Sequence, residues 1–153
     1  MPTVIEKKQE KEYIGFEAEP TAWHTISQEA INQFADCTLD HQFIHVDPEK
    51  AKDTPFGTTI AHGFLSLSML SHFAEQYSVI IDGFYMGLNY GFDKVRFMSP
   101  VKVNSRIRAR AKILDIEEAK AGQYRVKTQV TVDIEGEDKP ALIAEWISMQ
   151  LVA

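Results

Sequence analysis

Ile60-Ala61-His62-Gly63-Phe64-Leu65-Ser66-Leu67-Ser68-Met69-Leu70-Ser71-His72-Phe73-Ala74-Glu75-Gln76-Tyr77 is the stretch on which the fold turns. Its residues Phe64, Leu65, Leu67, Met69, Leu70, Phe73 and Ala74 spread around most of a helical wheel, and the positions between them are largely serine. A surface helix carries one apolar stripe, whereas a helix that is apolar or small on nearly all sides is a buried one. The spacing therefore predicts a central, buried helix from Ile60 to about Tyr77.

C-terminal to this helix the period changes from helical to alternating. Phe84–Tyr90 and Lys94–Phe97 read as two strands, the second ended by Ser99-Pro100. From Ser105 onward, Ile107, Ala109, Ala111 and Ile113 alternate with Arg106, Arg108, Arg110 and Lys112, which places one set on each face of a strand. Tyr124 to Ile134 alternates in the same way, Glu135-Gly136-Glu137-Asp138 is a turn, and Leu142 to Val152 is a last strand apolar on both faces. On the N-terminal side, Ser27 caps a helix ending near Asp36 or Cys37, Trp23–Ile26 is a short extended piece, and Asp47-Pro48 opens another short helix. Residues 1–20 are charge-rich and read as an N-terminal arm, leaving residues 21–153 as one domain. Helices followed by long meander strands make an α+β pattern. One buried helix with an antiparallel sheet curved around it is the hot-dog arrangement. Long strands, the last of them apolar on both faces, also imply pairing with a second subunit, giving a homodimer.

The chain has 153 residues, 44% hydrophobic and 25% charged, with a formal net charge of −6. That length holds one domain with a real core. The acidic balance argues against nucleic-acid binding, which calls for a surplus of Lys and Arg. The apolar runs are too short to span a membrane and Met1–Lys11 has no apolar leader segment, so a cytoplasmic protein is expected. Cys37 is the sole cysteine and reads as a small buried residue, although it could be a nucleophile.

The chemistry is concentrated in Thr38-Leu39-Asp40-His41-Gln42-Phe43-Ile44-His45-Val46-Asp47, which shows neither helical nor strand periodicity. A bent loop can converge Asp40 and His45 on one small volume, where a carboxyl group and an imidazole position and activate a water. Histidine suits this because its charge changes near neutral pH. The alternative is that Asp40 caps the loop and His45 is a hydrogen-bonded structural residue. Gly63 stands at the start of the central helix, where an unencumbered N–H can approach a developing oxyanion; tight packing is its other explanation. A metal site built on His41 and His45 is disfavoured because four-residue spacing converges ligands only on a helix, and no metal is expected. Ser66 and Ser68 read as back-bonded helix residues, His24 and His72 as structural or surface histidines, and the basic row Arg106–Lys112 as a solvated sheet face.

Phe34–Asp47 resembles the signature of the MaoC-like (R)-specific enoyl-CoA hydratases and dehydratases. Ile60–Leu65 resembles the beginning of their central helix, and Asn89–Phe97 with Pro100-Val101 the strand pair that follows. The resemblance runs from about Trp23 to Met149, and the three motifs occur in the right order within it. Where the family usually has Asn two residues after the aspartate and then Pro, this chain has Gln42 and Phe43, similar to a subgroup near nodulation protein N. The resemblance implies a hydro-lyase that adds water to a trans-2-enoyl-CoA to give the (R)-3-hydroxyacyl-CoA. Asp40 and His45 would be catalytic and the Gly63 amide would hold the thioester oxygen. It implies a homodimer and no cofactor beyond the coenzyme A of the substrate. Two rival readings are a hot-dog acyl-CoA thioesterase, for which Glu75 is the sole carboxylate on the central helix, and a non-catalytic acyl-thioester binding protein.

Overall fold

A computed structural model describes residues 1–153. The main sheet has five antiparallel strands in the order β2-β5-β6-β7-β4. These are β2 (His24–Thr25), β4 (Phe84–Phe97), β5 (Arg106–Lys120), β6 (Gln123–Ile134) and β7 (Leu142–Val152). The alternation read in β5 and β6 is realised in the burial. Ile107, Ala109, Ala111, Val130, Val132 and Ile134 all face the core, and the residues between them stay on the outer surface. Pairing runs from Ile107 opposite Ile134 to Lys120 opposite Gln123, so the alternation in each strand is in phase with that of its neighbour.

Against the inner face lie α4 (Gly63–Ser68) and α5 (Leu70–Tyr77), joined through Met69. Leu65, Leu70, Phe73 and Tyr77 point into the sheet with Ile31 of α1 (Gln28–Thr38) and the inward side chains of β5, β6 and β7. The central helix is thus present, but it starts at Gly63 rather than Ile60 and is divided at Met69. It is also not covered all round within one chain. Phe64 is 68% exposed, and Ser68, Ser71, His72 and Glu75 lie open on the flank away from the sheet.

Two strand expectations are corrected. Phe84–Phe97 is one continuous strand rather than two, and its register against β7 shifts at three places, near Met86, Gly91 and Lys94. Those irregularities break the alternation that would have shown the strand as one piece. The doubly apolar last strand, β7, is not an open edge, because it lies between β6 and β4. One face of it, with Leu142, Ala144 and Trp146, is buried in the core, while Ile143, Ile147, Met149 and Leu151 on the other are only partly covered. The open edge is β4, where Tyr85, Met86, Leu88, Tyr90 and Phe92 are exposed.

The first residues are packed. β1 (Thr3–Ile5) pairs in parallel with β3 (Val79–Ile81), and Ile5 sits in a second apolar cluster with Val79, Ile81, Ile113, Tyr124 and Val126. The buried Gln150 side chain lends β3 a substitute strand partner, donating to the Val79 carbonyl at 2.7 Å and accepting from the Ile81 N–H at 3.0 Å. Cys37, expected to be buried, is exposed at the end of α1. A lone small residue on a short amphipathic helix carries no signal of which side it takes.

Candidate active site

The site is built where α1 ends and the chain doubles back. Ser27 caps α1 as the sequence predicts, accepting from the Ala30 N–H. The helix stops at Leu39, a non-glycine residue in the left-handed region (φ 63°), which reverses the chain direction and places Asp40 over the start of α4. Asp40 Oδ1 accepts from the Gln42 N–H two residues on, at 3.3 Å. One helical turn, α2 (Phe43–Val46), follows where sequence periodicity showed only a loop; a single turn is too short to leave a period. That turn swings His45 inward. Its backbone is tied to the strand-like segment ahead of α4 by a hydrogen bond from Ile60 N–H to the Ile44 carbonyl at 3.0 Å. Asp47 then caps α3 (Pro48–Ala51), accepting from the Lys50 N–H as expected.

His45 is 7% exposed, and its Nδ1 lies 2.7 Å from the carbonyl oxygen of Ile60. A carbonyl oxygen can only accept, so Nδ1 carries the proton and Nε2 of the neutral ring keeps its lone pair. Burial pulls the His45 imidazole below the ordinary histidine value of 6.5. The Ile60 contact opposes that shift, His62 reinforces it, and the Asp40 charge opposes it weakly. The ring is therefore neutral, and basic at Nε2, around pH 7.

Sequence reasoning missed His62 as a member of the site. It is 3% exposed and stacks on His45 with centroids 3.9 Å apart and planes 23° apart. Phe34 also packs against it, with ring centroids 4.9 Å apart. His62 Nε2 donates to the backbone carbonyl of Asp40 at 3.0 Å and lies 4.0 Å from the Asp40 carboxylate. Asp40, His45 and His62 bring their donor atoms within 4.8 Å of one another, so the predicted pair does converge. His41, by contrast, turns out to solvent and bonds Asp36, which removes it from any metal set with His45. The new trio has the donor types of a cation site, two imidazoles and a carboxylate. Yet His62 Nε2 is already engaged by Asp40, and His62 Nδ1 is buried without a partner. The His62 signal in the sequence was its place directly before Gly63, which only a fold could connect to Asp40.

Gly63 opens α4, and its N–H has no backbone acceptor. A Cβ there would lie 3.1 Å from the Phe97 ring, so the close-packing explanation for this glycine holds as well. His45, Gly63, Ser66, Phe97 and Val101 line a cavity of about 270 Å³. Ser68 back-bonds to the Phe64 carbonyl at 2.7 Å as expected, whereas Ser66, expected to do the same, lines this cavity. A larger cavity of about 570 Å³ lies at the far end of the helix, lined by Glu75, Tyr77, Trp146 and Ser148. Glu75 is twelve residues along the helix from Gly63, roughly 18 Å, and no imidazole lines its cavity.

The family described as the MaoC like domain matches residues 9–135. The chain belongs to the MaoC-like dehydratase family. This makes it an enzyme of the hydro-lyase class. It is 50% identical over 137 residues to nodulation protein N of Rhizobium leguminosarum bv. viciae, covering 89% of this chain and 85% of that one. It is 48% identical over 125 residues to 3-hydroxyacyl-thioester dehydratase Z of Mycobacterium tuberculosis, covering 82% of each. Among solved structures, a monoamine oxidase regulatory protein from Archaeoglobus superposes with a TM-score of 0.76 at 25% identity, over 92% of this chain and 91% of that one. The (R)-hydratase of A. caviae superposes at 0.71 with 20% identity, over 88% and 94%. These neighbours confirm the single hot-dog domain expected from the sequence. No helix of this MaoC-like domain is long and apolar enough to cross a membrane.

Proposed function

We propose that this MaoC-like domain hydrates trans-2-enoyl thioesters, with coenzyme A as carrier, to (R)-3-hydroxyacyl thioesters, and runs the reverse dehydration. The observation that carries this reading is that His45, its Nδ1 held by Ile60 and its Nε2 unpartnered, converges with Asp40 and His62 to within 4.8 Å and shares with Gly63 the lining of one cavity. Water bonds through oxygen to C3 and gives a proton to His45 Nε2. The C2–C3 π pair moves to form the thioester enolate, whose oxygen the free Gly63 N–H holds. The proton taken up by His45 passes to the Asp40 carboxylate, and Asp40 delivers it to C2, so both groups end as they began. Hydroxyl ends on C3 and hydrogen on C2, and the thioester stays intact.

A thioesterase would instead need a carboxylate beside the reacting carbonyl, and Glu75 stands at the wrong end of the helix. The open β4 edge, with its row of exposed aromatic and aliphatic side chains, is the surface through which we propose that two copies join into a homodimer. Purified protein incubated with crotonyl-CoA tests the activity. Loss of enoyl absorbance without release of free thiol is the expected result. Thiol release would identify a thioesterase, and neither change would leave a binding protein.

A further inference from the structure

His45 is gripped from a side that the proposed reaction never touches. Gln28, in the first turn of α1, donates through Nε2 to the backbone carbonyl of His45 at 2.7 Å. The same carboxamide accepts through Oε1 from the Thr59 hydroxyl at 2.5 Å, and Thr59 is 1% exposed. A second contact from Nε2, to Asn32 Oδ1 at 2.9 Å, fixes which way the amide points, because a flipped amide would face oxygen against two acceptors. One residue further on from Thr59, the Ile60 carbonyl holds His45 Nδ1, and the Ile60 N–H holds the Ile44 carbonyl. The backbone of the α2 turn and the ring it carries are therefore registered against the same two residues, Thr59 and Ile60, with α1 supplying the bridge. α2 is a single turn with no side-chain cap of its own, so its geometry depends on these outside contacts.

We propose that Gln28 and Thr59 form a positioning pair for His45. They set the α2 turn so that Nδ1 meets Ile60 and Nε2 is turned to the cavity as the lone-pair nitrogen. The inference rests on the hydratase reading for its kinetic consequence but not for its structural one. Neither residue lines the cavity or touches the reacting atoms.

Three variants and two readouts test it. Thr59→Val and Gln28→Met keep volume and remove the polar contacts, and Thr59→Ser keeps the hydroxyl. With crotonyl-CoA, Thr59→Val and Gln28→Met are expected to lower kcat by between about tenfold and a hundredfold, the scale of a slightly misplaced catalytic group, with KM within about twofold. Thr59→Ser should restore most of kcat, and the double variant should be little worse than either single one. The second readout is the ¹⁵N signal of the His45 imidazole. It should show one Nδ1–H tautomer in the wild type and a mixture in Thr59→Val and Gln28→Met. Unchanged kcat per folded molecule, or a Thr59→Ser variant as poor as Thr59→Val, would overturn the pair's role. So would a single Nδ1–H tautomer surviving in both variants. If the wild-type protein hydrates nothing, the hydratase reading fails by itself, and the imidazole signal still decides the positioning pair.

Discussion

The outer face of β5 and β6 and the turn from Leu39 to Gly63 both concentrate charged and titratable residues, and they use them in opposite ways. On the strand face each cation of the row Arg106–Lys112 is set against a neighbour. Arg110 meets Asp133 through two parallel hydrogen bonds at 2.7 and 2.9 Å, Arg106 pairs with Glu135, and Lys112 reaches Glu17 at 3.7 Å. Arg108 lies over the Trp23 ring at 4.4 Å. The row that reads in sequence as a solvated basic face is a paired one. In the turn, the side chains are held by the atoms they do not need. His45 is anchored by Nδ1 and its carbonyl, Asp40 by Oδ1 and its carbonyl, and His45 Nε2 is left without a partner. A charge whose functional atoms are consumed stabilises a surface; one fixed through its other atoms is ready for a proton.

That contrast is broken or sharpened by removing groups from each region. The largest effect is expected at the free atoms. Asp40→Asn and His45→Gln should each lower turnover by roughly a hundredfold or more, the scale of a lost general acid or base. The double variant should add little, since groups acting as a unit fail together. Steady-state kinetics with crotonyl-CoA check this, and near-normal turnover per folded molecule in either variant would remove that residue from the reaction.

A smaller effect is expected at the anchor. His62→Phe keeps a ring against His45 but loses the N–H that holds the Asp40 carbonyl, and should cost about tenfold in kcat. It should also move the pH profile. Only the neutral ring accepts a proton, so wild-type kcat/KM should fall on the acid side with a midpoint below 6.5, because burial favours the neutral form. Removing His62 takes away one of the influences that lower His45, so that acid limb should shift upward. The stability sign agrees. The unfolded ring binds a proton more readily than the folded one, so the stability from a neutral His45 is present above pH 6.5 and is lost as pH falls toward the folded value. An acid limb at or above 6.5 in the wild type would contradict this environment.

The smallest effect is expected on the strand face. Arg110→Met should change unfolding free energy by less than about 1 kcal/mol and leave turnover unchanged, since half-exposed ion pairs are screened by water. A chemical denaturation curve beside the kinetic assay measures both. A large loss of activity there would mean that the paired face is not the passive one.

The alternation in Arg106–Lys112 and Tyr124–Ile134, the Ser27 and Asp47 caps and the apolar spread of the central helix are local properties of the chain, legible without coordinates because they repeat within a turn or a strand. Asp40, His45 and Gly63 stood out for a different reason, the resemblance of Phe34–Asp47 and Ile60–Leu65 to a family signature, since the spacing of an acid and an imidazole fits a structural role just as well. Only the tertiary structure decided the remainder, because each part joins residues remote in sequence. It closed His62 over both Asp40 and His45, bridged Thr59 to the His45 carbonyl through Gln28, and placed β7 inside the sheet while leaving β4 at the edge. Local pattern reports which side of an element is apolar. Which neighbour covers that side, and which atom of a histidine is left free, depends on contacts that close only when the whole chain has folded.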